Sequence, residues 1–459
     1  MPRPPISRRE MLARCANGFG LFALNALLSG TAGAAPHFRP RVKNVILLFM
    51  DGGVSHVDSF DPKPRLQAEN GQPFRQKIEA TQFDDVGKIL GSPWAFRPRG
   101  QSGIPVSDLF PNIAECADEL CVIRSMRADF PEHAQACLFM HTGHSIQGRP
   151  SMGAWLSYGL GSECKELPGF VVVHGGIIPT GGVENFSNGF LPAQHQGSIF
   201  EAYSAGGLVR NLVPSDISRQ KAKLGFVAES DRTFAEAVHD SNVDAAIRNY
   251  ETAFAMQSAV PRLADLSGES EATQKLYGLD STNKQTALYA RQCLLARRLV
   301  ERGVRFVEVT CPRGSRNNAP WDQHDNLRKQ HAENAEIVDR PIAALLRDLR
   351  GRGLLDETLV IWAGEFGRTP FAQGGNGRDH NPQGFSIWLA GGGVRPGSIY
   401  GATDDYGYHA VENVMTVHDL HATILHMLGL DHERLTYRHA GRDYRLTDVY
   451  GTVIKDIFA

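Results

Sequence analysis

Residues 44–53 read Asn-Val-Ile-Leu-Leu-Phe-Met-Asp-Gly-Gly. The apolar run from Val45 to Met50 ends on Asp51 and a pair of glycines. A run without alternation, closed by a turn, fits a strand buried on both faces better than a half-exposed one. The same form recurs down the chain. Phe170–Val173 runs into His174-Gly175-Gly176, Val304–Val309 into the loop from Thr310 to Trp321, and Leu359–Trp362 into Gly364-Glu365-Phe366-Gly367. Phe385–Ala390 runs into the three glycines 391–393. Helical patterns lie between these runs: 285–302 stops at Gly303, 331–350 at Gly351 and 416–428 at Gly429, each a C-terminal stop signal. Helix then strand, repeated, predicts an α/β fold, a largely parallel central sheet with helices on both faces.

One stretch breaks the pattern. Residues 185–284 are polar and strand-poor, with a helical candidate at 240–258, and read as a helical insertion. No linker divides the remainder, so residues 35–459 are expected to form one domain. The 459 residues carry 48 Lys+Arg against 50 Asp+Glu, a formal charge of −2, which argues against nucleic acid as the main partner. A chain with 42% hydrophobic and 21% charged residues is neither disordered nor fibrous.

The first 34 residues read as an address. Ser7-Arg8-Arg9-Glu10-Met11-Leu12 precedes a small and Leu-rich run from Gly18 to Leu28, then Ala32-Gly33-Ala34. Paired arginines, a short apolar run and an A-x-A cleavage site resemble a twin-arginine export signal. The run falls short of the roughly 20 residues of a spanning helix. The expectation is passage through the twin-arginine export machinery to the periplasm or the extracellular surface, with no membrane span in the mature chain. Cys15 leaves with the signal. Cys116, Cys121, Cys137, Cys164, Cys293 and Cys311 stay, with no C-x-x-C pair, and their spacing leaves free thiols and disulfides equally open. Cys116 and Cys121 are expected on one helix.

In an open α/β sheet ligands bind beyond the carboxyl ends of the strands. That rule selects Asp51 after the first run, Asp322 and His324 in the loop after 304–309, Glu365 after 359–362, and Asp379 and His380 in the Gly-rich loop before the last run. Four loops bring carboxylates and imidazoles to one edge. Carboxylate with imidazole suits Zn²⁺, Mn²⁺ or Fe; carboxylate with water suits Mg²⁺ or Ca²⁺. Each residue also has a plain role open to it: a tight turn at Asp51, a loop hydrogen bond at Asp322 and His324, a turn cap at Glu365.

Four motifs carry a resemblance. They are Phe49-Met50-Asp51-Gly52-Gly53-Val54-Ser55-His56-Val57-Asp58, Trp321-Asp322-Gln323-His324, Gly364-Glu365-Phe366-Gly367-Arg368-Thr369-Pro370 and Gly377-Arg378-Asp379-His380-Asn381-Pro382. Together they resemble a family of exported, sulfatase-like bacterial proteins of unknown function within the alkaline phosphatase superfamily. The resemblance implies one or two divalent ions, Zn, Mn, Ca or Mg, held by Asp51, Asp322, His324, Glu365 and His380. It also implies a nucleophile at a helix start, where N–H groups and the dipole favour an anion.

Two departures stand out. Phe366 occupies a place where the superfamily carries a His ligand, so one centre loses a ligand or borrows another. Asp129-Phe130-Pro131-Glu132-His133 is similar to the nucleophile segment of the phosphodiesterase and sulfatase branches, yet the nucleophile place holds Asp129, and Thr142-Gly143 follows four residues late. The missing cysteine or serine argues against a standard sulfatase. Asp129 could act as carboxylate nucleophile, metal ligand or general base, or could merely cap a helix. Asp129, His133 and Arg368 are the catalytic candidates, with Arg124, Arg127, Arg149 and Arg378 as further anion contacts. His418 and His421 read as packing and capping residues. The expected function is an exported metal-dependent hydrolase acting on a small-molecule or glycan anionic ester, whether phosphate, phosphodiester or sulfate. The alternative is an inactive member that binds an anionic glycan or a surface partner through the same cleft.

Overall fold

The structure is a computed structural model that describes residues 36–79, 85–204, 207–210, 212, 217–238, 241–312 and 319–459. The expected export signal, residues 1–34, lies outside them. The run that opens at Asn44 is a strand, β1 (Asn44–Phe49), and it sits in the middle of a nine-stranded sheet. Its side chains alternate between two cores. Ile46, Leu48 and Met50 pack on one side; Val45, Leu47 and Phe49 pack on the other. That is why the sequence shows no polar alternation: both faces are buried.

The other strands of this sheet and of the hairpin beside it are β2 (Leu120–Arg127), β3 (Phe170–His174), β4 (Ser198–Glu201), β5 (Phe306–Thr310), β6 (Thr358–Ala363), β7 (Gly367–Gln373), β8 (Gly377–Asn381), β9 (Phe385–Gly391), β10 (Ser398–Tyr400) and β11 (Met415–Thr416). The sheet runs β10-β2-β9-β6-β1-β5-β3-β4, with β11 also on β2. All neighbours pair in parallel except β9, which is antiparallel to β6 and β2. The carboxyl ends of β1, β2, β5 and β6 therefore share one edge. β7 and β8 form an antiparallel hairpin beside it.

Helices α1 (His133–Thr142), α2 (Met152–Leu160) and α8 (Val417–Met427) cover one face. Helices α6 (Lys284–Glu301) and α7 (Leu327–Gly351) cover the other. Between them in sequence lie α3 (Ile217–Val238), α4 (Ser241–Ala264) and α5 (Glu271–Tyr277). The stretch 185–284 is thus rich in helix, but it also supplies β4, an edge strand of the main sheet that the sequence reading missed. Among the described residues no helix is long and apolar enough to cross a membrane.

Two further expectations change. Cys121 lies in strand β2 and not on a helix with Cys116, which sits in the short 3₁₀ turn before it. All six described cysteines are free thiols, so the disulfide alternative falls. His418 and His421 reach the last carbonyls of α1, Gly143 at 2.9 Å and Met140 at 2.8 Å. They satisfy acceptors that a helix end leaves open.

Candidate metal centre

Asp51 ends the β1 turn, fully buried. The turn needs glycine at 52, where φ is +106° and a Cβ would lie 2.6 Å from the Asp322 amide. Gly377 meets a similar demand on the hairpin, because the His324 carbonyl occupies the place of a Cβ. These close approaches bring the β1 turn, the loop after β5 and the β7–β8 hairpin against one another. Glu365 leaves β6 and accepts the Gly52 amide at 2.9 and 3.2 Å. α1 starts at His133 behind Pro131, with Glu132 as its cap, accepting the Gln135 amide at 3.1 Å.

Seven side chains converge as two adjoining groups. The ligand atoms of His133, Asp322, His324 and His380 all lie within 4.8 Å of one another, as do those of Asp51, Cys137 and Glu365. His133 joins them, with Nδ1 2.7 Å from Glu365 Oε1 and Nε2 3.2 Å from Asp322 Oδ1. That second contact is close but makes no directed hydrogen bond.

In the first group Asp322 Oδ1 lies 2.8 Å from His324 Nε2 and 3.1 Å from His380 Nε2. The two Nε2 atoms are 3.0 Å apart. The outer nitrogens assign the tautomers. His380 Nδ1 donates to the Pro131 carbonyl at 2.6 Å, and His324 Nδ1 donates to Gln373 Oε1. In neutral rings both Nε2 atoms then carry lone pairs that face each other and a carboxylate. Lone pairs converging this closely repel unless a cation lies among them. A tetrahedral ion bound at about 2.0–2.1 Å sets its ligands about 3.3 Å apart. The observed separations of 2.8–3.2 Å fall just short of that spacing, so a small outward shift of the side chains would admit such an ion. The outer acceptors are those that orient metal-bound histidines.

Burial raises Asp322, but the Arg368 guanidinium beside it draws the carboxyl well below the usual carboxylate range. Burial lowers His133, yet Asp322 and Glu365 lift it to about 9. His380 falls to about 3, through burial and then Arg368 and His133, with Asp322 opposing. In the second group Asp51 is pushed up by burial and then by Glu365, and Asp51 Oδ2 is buried without a hydrogen-bond partner. Burial, Glu365 and Asp51 push the Cys137 thiol up as well.

The five residues expected to hold metal, Asp51, Asp322, His324, Glu365 and His380, thus lie together with His133. Asp129 does not join them. It is exposed, belongs to neither group and is not the helix cap, which falls at Glu132. Arg368 is buried and its guanidinium is directed inward. It donates to Gly53 O at 3.0 Å, Arg378 O at 3.1 Å, Trp321 O at 3.3 Å, the Gly52 carbonyl, and Asp322 Oδ1 at 2.8 Å. It clamps the β1 turn to Asp322 rather than reaching outward to an anion. Arg378 is spent likewise, on Asp58 and on the Thr369 and Leu90 carbonyls.

Cys137 is the residue sequence reasoning missed. The available signal was His133 and Cys137 at i and i+4, which places both on one face of α1. Phe366 is a wall: its ring centroid lies 4.5 Å from that of His380 and 5.0 Å from that of His133. A separate 410 Å³ cavity, lined by Trp94, Asn112, Asp339 and Arg340 among others, includes none of these side chains.

The fold and site define an α/β protein with a two-part cluster of residues that could hold metal ions at the carboxyl edge of its sheet. The chain belongs to the family described as protein of unknown function (DUF1501), whose profile matches residues 42–458. No curated protein matches the sequence. Among solved structures it is similar to the PsFucS1 sulfatase from Pseudoalteromonas sp., at 14% identity over 94% of this chain and 73% of that one, TM-score 0.36. It is also similar to a protein in the alkaline phosphatase superfamily from Vibrio parahaemolyticus (11%, 87% and 69%, TM-score 0.37) and to the phosphonate monoester hydrolase of Agrobacterium radiobacter (12%, 85% and 74%, TM-score 0.36).

Proposed function

We propose that this chain is a metal-dependent hydrolase of an anionic ester, a phosphate, phosphodiester or sulfate, working in the periplasm or at the cell surface. One observation carries the reading: three imidazole nitrogens and the Asp322 carboxylate converge at 2.8–3.2 Å, two of the imidazoles with their outer nitrogens already committed as donors. The adjoining Asp51, Glu365 and Cys137 would hold a second ion. The four sequence motifs support the superfamily reading and so the class of substrate. When bound, divalent ions supply Lewis acidity toward the ester oxygens.

The chain's own residues have separable tasks. Asp322, His324 and His380 hold the first centre, with Gln373 and the Pro131 carbonyl fixing the two ring orientations. Arg368 positions Asp322 and the β1 turn together. His133, first residue of α1, links the centres through Glu365. Thr142-Gly143 falls four residues late relative to Asp129. Counting back from it puts the nucleophile place at His133, whose ring lies between Glu365 and Asp322, so His133 replaces Asp129 as the candidate for that place.

The test is metal content and turnover of the full chain against aryl phosphate, aryl phosphodiester and aryl sulfate, alongside an Asp51→Ala, His380→Ala variant. Stoichiometric metal and metal-dependent turnover of one ester, both lost in the variant, are expected. Metal bound without turnover of any ester would favour the anion-binding alternative. No metal after loading with Zn²⁺, Mn²⁺ or Ca²⁺ would end the reading.

A further inference from the structure

The second group of ligands contains a sulfur that the superfamily resemblance does not call for. Cys137 sits one turn after His133 on α1, fully buried. Its backbone carbonyl accepts His141 Nδ1 at 2.7 Å, and His141 Nε2 is tied to Glu308 at 3.0 Å in the sheet core, so the helix is held firmly at this point. Cys137 Sγ lies 3.6 Å from Asp51 Oδ1. Tetrahedral ligands on one ion, sulfur at about 2.3 Å and oxygen at about 2.1 Å, stand about 3.6 Å apart.

A buried cysteine is most often an inert core residue. Three features separate this one from the other five. Asp51 Oδ2 beside it is buried and has no partner, which costs free energy unless something cationic meets it. Asp51 and Glu365 place two carboxylates within 4.8 Å of the sulfur. Phe366 stands where the superfamily resemblance implies an imidazole ligand, and a phenyl ring offers no lone pair, so by that resemblance one centre is a ligand short.

We infer that Cys137 is a thiolate ligand of the second ion, with Asp51 and Glu365, and that it substitutes for the imidazole absent at Phe366. The inference rests on the metal-dependent reading above and narrows it. One centre offers nitrogen and one carboxylate; the other offers sulfur and two carboxylates. A thiolate selects borderline and soft ions such as Zn²⁺ or Co²⁺ over Mg²⁺ or Ca²⁺. The second centre therefore excludes the hard cations that a purely oxygen site would accept.

Cobalt(II) is the probe. The full chain, loaded with Co²⁺, is expected to bind two ions and to show a thiolate-to-cobalt charge-transfer band in the near ultraviolet. Cys137→Ser is expected to lose that band and one of the two ions, while keeping the visible d–d bands of the centre at Asp322, His324 and His380. Visible bands without the thiolate band in the unmodified chain would overturn the Cys137 assignment and leave the metal-dependent reading standing. No cobalt uptake at all would overturn both. Should Cys137→Ser not fold, X-ray absorption of the zinc-loaded unmodified chain decides the matter: a sulfur scatterer at about 2.3 Å supports the thiolate, and a shell of oxygen and nitrogen alone refutes it.

Discussion

Asp58 and Asp322 are carboxylates from neighbouring motifs, each met by a buried arginine, and their surroundings differ. Asp58 receives Arg378 Nε at 2.8 Å and Nη2 at 3.2 Å, and the Ser55 hydroxyl at 2.5 Å. Every contact is donor to acceptor, and the pair is fully buried. Asp322 also receives one guanidinium, from Arg368 at 2.8 Å, but three imidazole nitrogens crowd the same oxygen. In neutral rings two of those nitrogens, from His324 and His380, face it with lone pairs. The same residue types make a closed bracket in one place and an open set of acceptors in the other. Donor–acceptor matching separates them: a matched buried pair holds structure, whereas unmatched acceptors mark where a cation belongs.

Breaking each side should therefore fail differently. The largest effect is expected from Asp322→Ala, which removes the oxygen on which four groups converge. Metal at the first centre should be lost and ester turnover should fall by several kcal/mol in barrier height, on the order of a thousandfold. Metal analysis and steady-state kinetics check this, with circular dichroism showing a retained fold.

Asp58→Asn should do the reverse. It leaves Arg378 as an uncompensated buried charge, a cost of about 3–5 kcal/mol in unfolding free energy. Metal content per folded molecule should stay at the unmodified level. Urea unfolding with metal analysis reads both, and loss of metal from a folded Asp58→Asn chain would erase the distinction between bracket and site.

Gln373→Leu removes the acceptor that orients His324. Roughly 10–100-fold weaker metal binding is expected, with the ligands themselves intact. Competition against a chelator of known affinity measures it.

Acid titration sharpens the bracket further. Burial raises the Asp58 carboxyl, but Arg378 and Ser55 outweigh it and hold the group below its ordinary 3.8. Its pairing thus stabilises fully above about pH 4 and is withdrawn as pH falls through the depressed value. The stability of Asp58→Asn should lose that part of its acid dependence, a smaller change than the substitution's own cost. At the bottom of the scale, Lys43→Ala breaks the exposed pair with Glu357 at 2.8 Å and should cost under about 1 kcal/mol.

Much of this architecture was legible. Uninterrupted apolar runs such as Val45–Met50 can be satisfied only between two packed faces, and glycine after each run marks a strand end. What escaped had physical reasons. β2 carries Arg124 in its middle and was not read as a strand, because its charge is met from elsewhere, by Asp61 at 3.7 Å. Glu308 hid inside an apolar run, since His141 from α1 makes its burial tolerable at 3.0 Å. Asp129 looked like the reactive position because it matched a motif by order, but the helix begins four residues later.

The sequence by itself determined the class of fold, the edge of the sheet at which the acidic and imidazole groups gather, and six of the seven side chains that cluster there, all but Cys137. It did so because strand ends and their glycine turns are local signals. Only the tertiary structure decided which groups are matched and which are not. Arg368 and Arg378 turned inward, Asp129 turned out, and Cys137 came to lie beside Asp51. Those outcomes depend on distances between residues far apart in the chain, here 86 positions for Cys137 and Asp51 and 320 for Asp58 and Arg378, and no local pattern encodes them.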